Sequence, residues 1–335
     1  MARSEPGLPV PPYNGALMSD PEPRRPQVEE LSVGGLDGRI RVIRCGHVVD
    51  VFVVFSRRFV LVVDTLISPG MAAEAMALLE LKPHVAHDKV LLVANTHGDW
   101  DHSWGNGLFD GPSSEFPAPI IGHISTRRRF DPREAREFLN QMRTQNPGWY
   151  DDVELRLPTI EFDGELMIDG GDLTFRFMPT PGHTPDHVAI WIPEIRVLLA
   201  GDAVEMPMPF MGPESDVGQM RATLRGMLDL DPVMVLACHG NNIWTSDLIR
   251  HNMWYFDEAE RRCRQALHAG LARGEITPET LAWPLESTMP PGSYVDELAD
   301  ADFYRKSHAA ALRDMAAWVQ EQSSGTPGGT RTHGL

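Results

Sequence analysis

Apolar runs of strand length end, four times over, in loops that carry histidine and aspartate. The run KVLLVANT at 89–96 has the composition of a strand buried on both faces, and it gives way at once to His97, Asp99, Asp101 and His102. LTFRFM precedes His183, RVLLA precedes Asp202, and VMVLA precedes His239. Loops at the ends of a rigid sheet hold side chains to the tolerance that a bound ion demands.

The remaining pattern supplies the frame for those loops. From about 31 to 65 the pattern is short β-runs, RIRVIRC, VVDVFVVFS and RFVLVVDT, and SPGMAAEAMALLELK reads as a helix. APIIGH is a further strand, and DPREAREFLNQMR opens with Asp-Pro in the manner of a helix start. TIEFDGELMI, LTFRFMPT, HVAIWIP and IRVLLAGD are four more β-runs between Gly, Pro or Asp turns. SDVGQMRATLRGML is amphipathic, with Val217, Met220 and Leu224 on one face and Ser215 or Asp216 as the cap. Beyond residue 245 only two long helical patterns remain, joined by a Pro-rich link. Strands and helices alternate in two rounds before the helices stand alone, so the class is α/β, a sandwich with a helical C-terminal extension.

The expected organisation is a flexible Pro-rich arm over residues 1–30, a main domain over 31–245, the helical extension over 246–322 and a disordered tail over 323–335. A chain of 335 residues suits one large domain with an appendage. The formal charge of −17 argues against nucleic acid or an anionic membrane as partner. Cys45, Cys238 and Cys263 are odd in number and widely spaced, which is no disulfide framework and points to a reducing cytoplasm. The N-terminus has no apolar core of an export signal, and no apolar run is long enough to span a bilayer. A small-molecule substrate is the expected partner. Trp254, Tyr255 and Phe256 are consecutive and cannot all face one core, so the C-terminal helices, or the N-terminal arm, are where a homodimer would form.

Imidazole and carboxylate together suit zinc, iron or manganese. Seven convergent ligands exceed the needs of one tetrahedral ion, and two divalent ions sharing a carboxylate would use them all. THGDWDH, PGHTP, the GD at 201–202 and the late CHG, in that order, resemble the motifs of the metallo-β-lactamase-fold superfamily over roughly residues 35–245. RFVLVVDT resembles its second strand, which ends in a structural aspartate, here Asp64.

The resemblance implies an αββα sandwich and a dinuclear metallo-hydrolase. One ion would be held by His97, Asp99 and His183, the other by Asp101, His102 and His239, with Asp202 bridging. Zinc is the first expectation for both. A metal-bridging hydroxide would attack a small or medium ester, lactone or thioester, with phosphodiesters next, and Asp101 would orient it. Asp101 and Asp202 are the expected catalytic pair. No protein nucleophile is needed, in keeping with the absence of a GxSxG elbow.

The family motif is HxHxDH and this chain has HxDxDH, so Asp99 stands where a histidine is usual. Either it ligates, in which case a harder anionic donor admits iron or manganese, or it is too short to reach. The flavodiiron branch resembles this pattern with glutamate at that place, which keeps a di-iron oxidoreductase as one alternative; a non-catalytic relic of the fold is another. His187 is read as a structural histidine, with a contact to substrate or to a ligand as its functional alternative. His123 reads as a satisfied strand-end histidine, and Cys238 as a small buried side chain turned into the core. Trp100 and Trp104 flank the ligands, and EMPMPFMGP at 205–213 is either a packed loop or the wall of an apolar pocket. TRRRF at 126–130 reads as a solvated helix start, with binding of an anionic substrate group as the alternative.

Overall fold

Two β-sheets lie face to face with helices on the outside. The computed structural model describes residues 25–81, 89–111, 114–240, 243–291, 293–295, 298 and 300–323. The first sheet runs β1 (Val28–Leu31), β2 (Ile40–Cys45), β3 (Val49–Phe55), β4 (Phe59–Val63), β5 (Val90–Ala94), β6 (Ile120–His123) and β7 (Ile160–Phe162), in that order across the sheet. Pairing is antiparallel from β1 to β4 and parallel from β4 to β7. The second sheet has the order β12 (Met234–Ala237), β11 (Val197–Gly201), β10 (Val188–Ile192), β9 (Thr174–Pro179) and β8 (Leu166–Asp169). This is the expected αββα sandwich.

Side-chain alternation in the second sheet explains the layering. Val188, Ile190, Ile192, Val197 and Leu199 face the core shared with the first sheet. Ala189, Trp191, Leu198 and Ala200, the intervening residues, face a second core. That core is closed by α5 (Val217–Asp229), α6 (Ser246–His268) and α7 (Ala301–Ser323). The C-terminal helices are therefore the outer layer of the second sheet. Phe256, Leu312 and Met315 are fully buried there, each contributing about 2 kcal/mol of hydrophobic stabilisation. The aromatic triplet divides as its spacing requires: Tyr255 and Phe256 are buried, while Trp254 stays 42% exposed and stacks on His251.

Helices α1 (Pro69–Leu78) and α4 (Pro132–Gln145) belong to the layer over the first sheet, and each starts from a side-chain cap, Ser68 for α1 and Asp131 for α4. Two expectations need correction. The sheet already begins at Val28, inside the stretch read as an arm, because Val28 and Leu31 pack on the core while their neighbours pair with β2. TIEFDGELMI is two strands rather than one: Gly164, at a φ of +80°, turns the chain so that β7 stays in the first sheet and β8 enters the second. Residues 1–24 of the arm and 324–335 of the tail lie outside the described residues. Among the described residues no helix is long and apolar enough to cross a membrane.

Candidate metal centre

The four loop segments that carry histidine and aspartate meet at one end of the sandwich. β5 ends at Ala94, and the chain turns through His97 into the short helix α2 (Trp100–Ser103), which carries Asp101 and His102. Asp99 occupies the N-cap position of α2 without capping it, which leaves its carboxylate for other partners. His183 comes from the β9–β10 loop, Asp202 from the end of β11 and His239 from the end of β12.

Asp202 sits at the centre. Its Oδ2 lies 3.1 Å from Nε2 of both His102 and His239, 3.6 Å from Nε2 of His183 and 3.7 Å from Nε2 of His97. Oδ2 of Asp99 is 3.5 Å from Nε2 of His97 and 3.9 Å from that of His183. On the other side, Asp101 lies 3.7 Å from Nε2 of His102 and 3.5 Å from that of His239. All seven residues singled out as ligands thus converge, in two groups that share Asp202. Nε2 of His97, Nε2 of His102 and Oδ1 of Asp202 are buried with no hydrogen-bond partner. Such atoms are costly to bury unless something coordinates them, and the mixture of imidazole and carboxylate suits divalent cations.

The supports behind the ligands are specific. Asp64 ends β4 with a φ of +66°, a strained conformation for a non-glycine residue, and its buried carboxylate is fully used. Oδ1 accepts the Thr96 N–H at 2.7 Å, and Oδ2 accepts from the Thr96 hydroxyl at 2.8 Å and from Nδ1 of His102 at 2.9 Å. The Thr96 hydroxyl in turn meets Nδ1 of His97 at 3.0 Å. One carboxylate thus orients both histidines and turns their Nε2 atoms toward Asp202. His187 is buried and works behind the site: its Nε2 accepts the Asp202 N–H at 3.0 Å, and its Nδ1 meets the Thr180 hydroxyl at 2.8 Å. A side chain at Gly201, whose φ is +55°, would strike that ring, so glycine is required there.

Electrostatics divide the imidazoles. Burial lowers His183 to about 4 against the pull of Asp202. Burial acts the same way on His239, but Asp202 and Asp101 carry it up to about 10. His102 is likewise raised, by Asp202, Asp101 and Asp64 together. Burial would raise Asp99, yet Arg129 and His97 hold it well below the usual carboxylate range.

Several residues here escaped the sequence reading. Arg129, in α3 (Ile124–Arg129), is not a solvated cation: its guanidinium turns inward to Asp99 at 2.8 Å and Asp186 at 2.9 Å, while Arg127 stays outside on Glu161. Glu205 is buried, with burial and Asp202 raising its pKa well above normal, and it lies 3.8 Å from Nδ1 of His183. Cys238 is buried as expected, but the face it turns to also holds Asp64, 3.8 Å from its thiol. His123 is indeed a satisfied strand-end residue, accepting from the Ser125 N–H. Trp100 packs on Trp104 and Tyr150. In the 205–213 loop Met206, Met208 and Met211 are buried in the second core. Phe210 instead lies 6.0 Å from the His183 ring and stacks on Phe303 of α7.

The sequence profile of the Metallo-beta-lactamase superfamily matches residues 46–239. The chain belongs to that superfamily. Members of the Metallo-beta-lactamase superfamily are mostly hydrolases and typically bind divalent metals, and the ligand groups described above agree with that habit. A Caenorhabditis elegans protein described as beta-lactamase-like protein 2 homolog is 32% identical over 115 residues, 34% of this chain and 36% of that relative. The match therefore spans little more than a third of the relative's length.

Among solved structures, the metallo-beta-lactamase from Pontibacter korlensis is similar with a TM-score of 0.51 at 15% identity, covering 68% of this chain and 98% of that one. The stereoselective inverting sec-alkylsulfatase Pisa1 from Pseudomonas sp. is similar with a TM-score of 0.59 at 15% identity, covering 88% of this chain and 50% of that one. At such identities the likeness concerns the superfamily fold. The second coverage takes in part of the chain beyond residue 245, where the outer helices lie.

Proposed function

We propose that the protein is a dinuclear metallo-hydrolase that cleaves a small or medium ester, lactone or thioester. The observation that carries this reading is the approach of four imidazole Nε2 atoms to one oxygen of Asp202, within 3.1–3.7 Å. His97, Asp99 and His183 would hold one ion, Asp101, His102 and His239 the other, with Asp202 between them. Zinc fits four imidazoles best. Two such cations would supply an activated water at neutral pH and a Lewis acid for the substrate oxygen.

The chain's own part is to place and restrain. Asp101 is the carboxylate that accepts a hydrogen bond from the attacking water and aims it. Asp64 and His187 keep His102, His97 and Asp202 from rotating out of register. Phe210 and Phe303 form an apolar wall beside His183, which favours an acyl or alcohol portion with hydrocarbon character over a phosphodiester.

The test is a metal-replete preparation, with its metals counted by mass spectrometry, assayed on ester, lactone, thioester, phosphodiester and alkyl sulfate substrates. Turnover should appear on one of the first three, vanish with a chelator and return with zinc. The reading is overturned if no panel member is hydrolysed and Asp202→Ala cannot be told from the parent. Oxygen consumption by an iron-loaded preparation, without hydrolysis, would put an oxidoreductase in its place.

A further inference from the structure

Asp99 raises a question of denticity: a carboxylate offers two oxygens where a histidine offers one nitrogen. Its Oδ1 is already engaged, accepting from Nη1 of Arg129 at 2.8 Å, while Oδ2 faces the Nε2 atoms of His97 and His183. Arg129 is itself held on two further sides. The same Nη1 donates to Asp186 at 2.9 Å, and Nε donates to Glu214 at 3.0 Å. Asp186 is fully buried, and its Oδ2 accepts the Gly98 N–H at 2.9 Å and the Thr126 hydroxyl at 2.8 Å. The arginine is thus anchored to the backbone residue that precedes Asp99. A side chain at Gly98 would come within 2.9 Å of Thr126 and 3.7 Å of the guanidinium, so the bare backbone there lets the clamp lie against the ligand loop.

We propose that Arg129 is a positioning residue that restricts Asp99 to one ligating oxygen, making the aspartate the geometric equivalent of the missing histidine. The proposal rests on the reading that His97, Asp99 and His183 hold a cation. A guanidinium on Oδ1 blocks chelation by both oxygens and draws electron density from the ligating one. On this account the HxDxDH motif is not a harder site that selects iron. It is a two-part ligand, with Asp99 supplying the donor atom and Arg129 supplying its orientation.

The test measures metal binding rather than turnover. Arg129→Gln combined with Asp186→Asn removes both buried charges while keeping an acceptor for Gly98 and Thr126. Chelator competition with zinc, and the visible spectrum of the cobalt-loaded protein, are then read against the parent. One of the two equivalents should weaken by about 10–100-fold, with a changed cobalt spectrum, and the other should hold. Asp99→Asn should lose the same equivalent, and in that background the double change at Arg129 and Asp186 should cost little more. Both equivalents at parental affinity, with an unchanged spectrum, would overturn the role of Arg129. If Asp99→Asn also changes nothing, Asp99 is no ligand, and the ligand set fails independently of the clamp. Should the double variant not fold, Arg129→Lys decides: its single ammonium cannot serve Asp99, Asp186 and Glu214 together, so one equivalent weakens or the proposal falls.

Discussion

On the His102 side of the cluster the candidate ligand His102 is backed directly by a buried carboxylate, Asp64, at 2.9 Å. On the His97 side the same carboxylate acts at one remove, through the Thr96 hydroxyl, and Asp99 accepts a hydrogen bond from Arg129 of α3. His183, on this side, has a buried Nδ1 with no hydrogen-bond partner and the Glu205 carboxyl 3.8 Å away. The difference is one of which element supplies the support. Support for His102 comes from Asp64, directly after a strand of the first sheet, whereas Asp99 is held by Arg129 at the end of α3 and the group nearest His183 is Glu205 in the loop after β11, elements that only the finished fold brings together. The His102 side should therefore be the stiffer of the two, and the His97 side the one more easily altered by substitution. Asp202 belongs to both. On the proposed dinuclear reading, Asp202→Ala should abolish binding of both metal equivalents and lower kcat/KM by at least about 10³-fold, as counted by metal analysis and steady-state kinetics. Retention of one full equivalent would mean the two sides are independent sites.

Acidity separates the two sides more finely. Without a cation, His239, at about 10, and His102, raised above its normal value, both carry protons at pH 7 that a metal bound there would have to displace. His183, at about 4, and Asp99, held low, have no proton to lose there. Protons compete with the cation, so affinity on the His102 side should fall as pH falls, by about tenfold per unit for each proton displaced. From pH 8 to pH 6 the loss should reach about 10²-fold or more on that side and be much smaller on the other. Zinc titrations followed by calorimetry in buffers of different ionisation enthalpy would count the protons released. Equal release from both sides would erase the distinction.

Replacing the shared support tests how far it reaches. Asp64→Asn keeps an acceptor for His102 but loses the charge, and should weaken the His102-side equivalent by about 10–100-fold. Thr96→Val cuts only the relay to His97, and should weaken the other equivalent by less, since one neutral hydrogen bond is worth about 1 kcal/mol. If the two variants instead weaken the same equivalent, the relay from Asp64 to His97 is not what orients that ring.

Much of this was readable in advance, and the unread part has physical reasons. His97, Asp101, His102, His183, Asp202 and His239 stood out because each follows an apolar strand, and a strand end fixes where the next side chain goes. Asp64 entered instead through the resemblance of RFVLVVDT to the second strand of the superfamily. Arg129 was not visible, because Arg127, Arg128 and Arg129 are alike in sequence and only the tertiary position of α3 decides which one turns inward. Its one local sign was Thr126, three residues earlier and so on the same helix face, which also serves Asp186. Glu205 left a clearer mark, as a lone acid in the apolar loop EMPMPF. The role of the C-terminal helices was also written in HVAIWIP: a strand apolar at nearly every position has two faces to cover, and the first sheet covers only one.

Cys238 gives the finest test of the comparison, because it touches the stiffer side without being one of its ligands. Its thiol lies 3.8 Å from Oδ2 of Asp64, and burial pushes its pKa well above the usual thiol range. A protonated thiol is a weak donor and a poor metal ligand. Cys238→Ala should therefore shift the His102-side affinity by less than about 3-fold, within the few tenths of a kcal/mol expected for a weak contact to a carboxylate that already has three better partners. The unmodified thiol should also resist alkylation in the native protein and react only on unfolding. A loss of tenfold or more on substitution would show that Asp64 depends on its neighbour, and that the His102 side is less self-sufficient than its direct hydrogen bond implies.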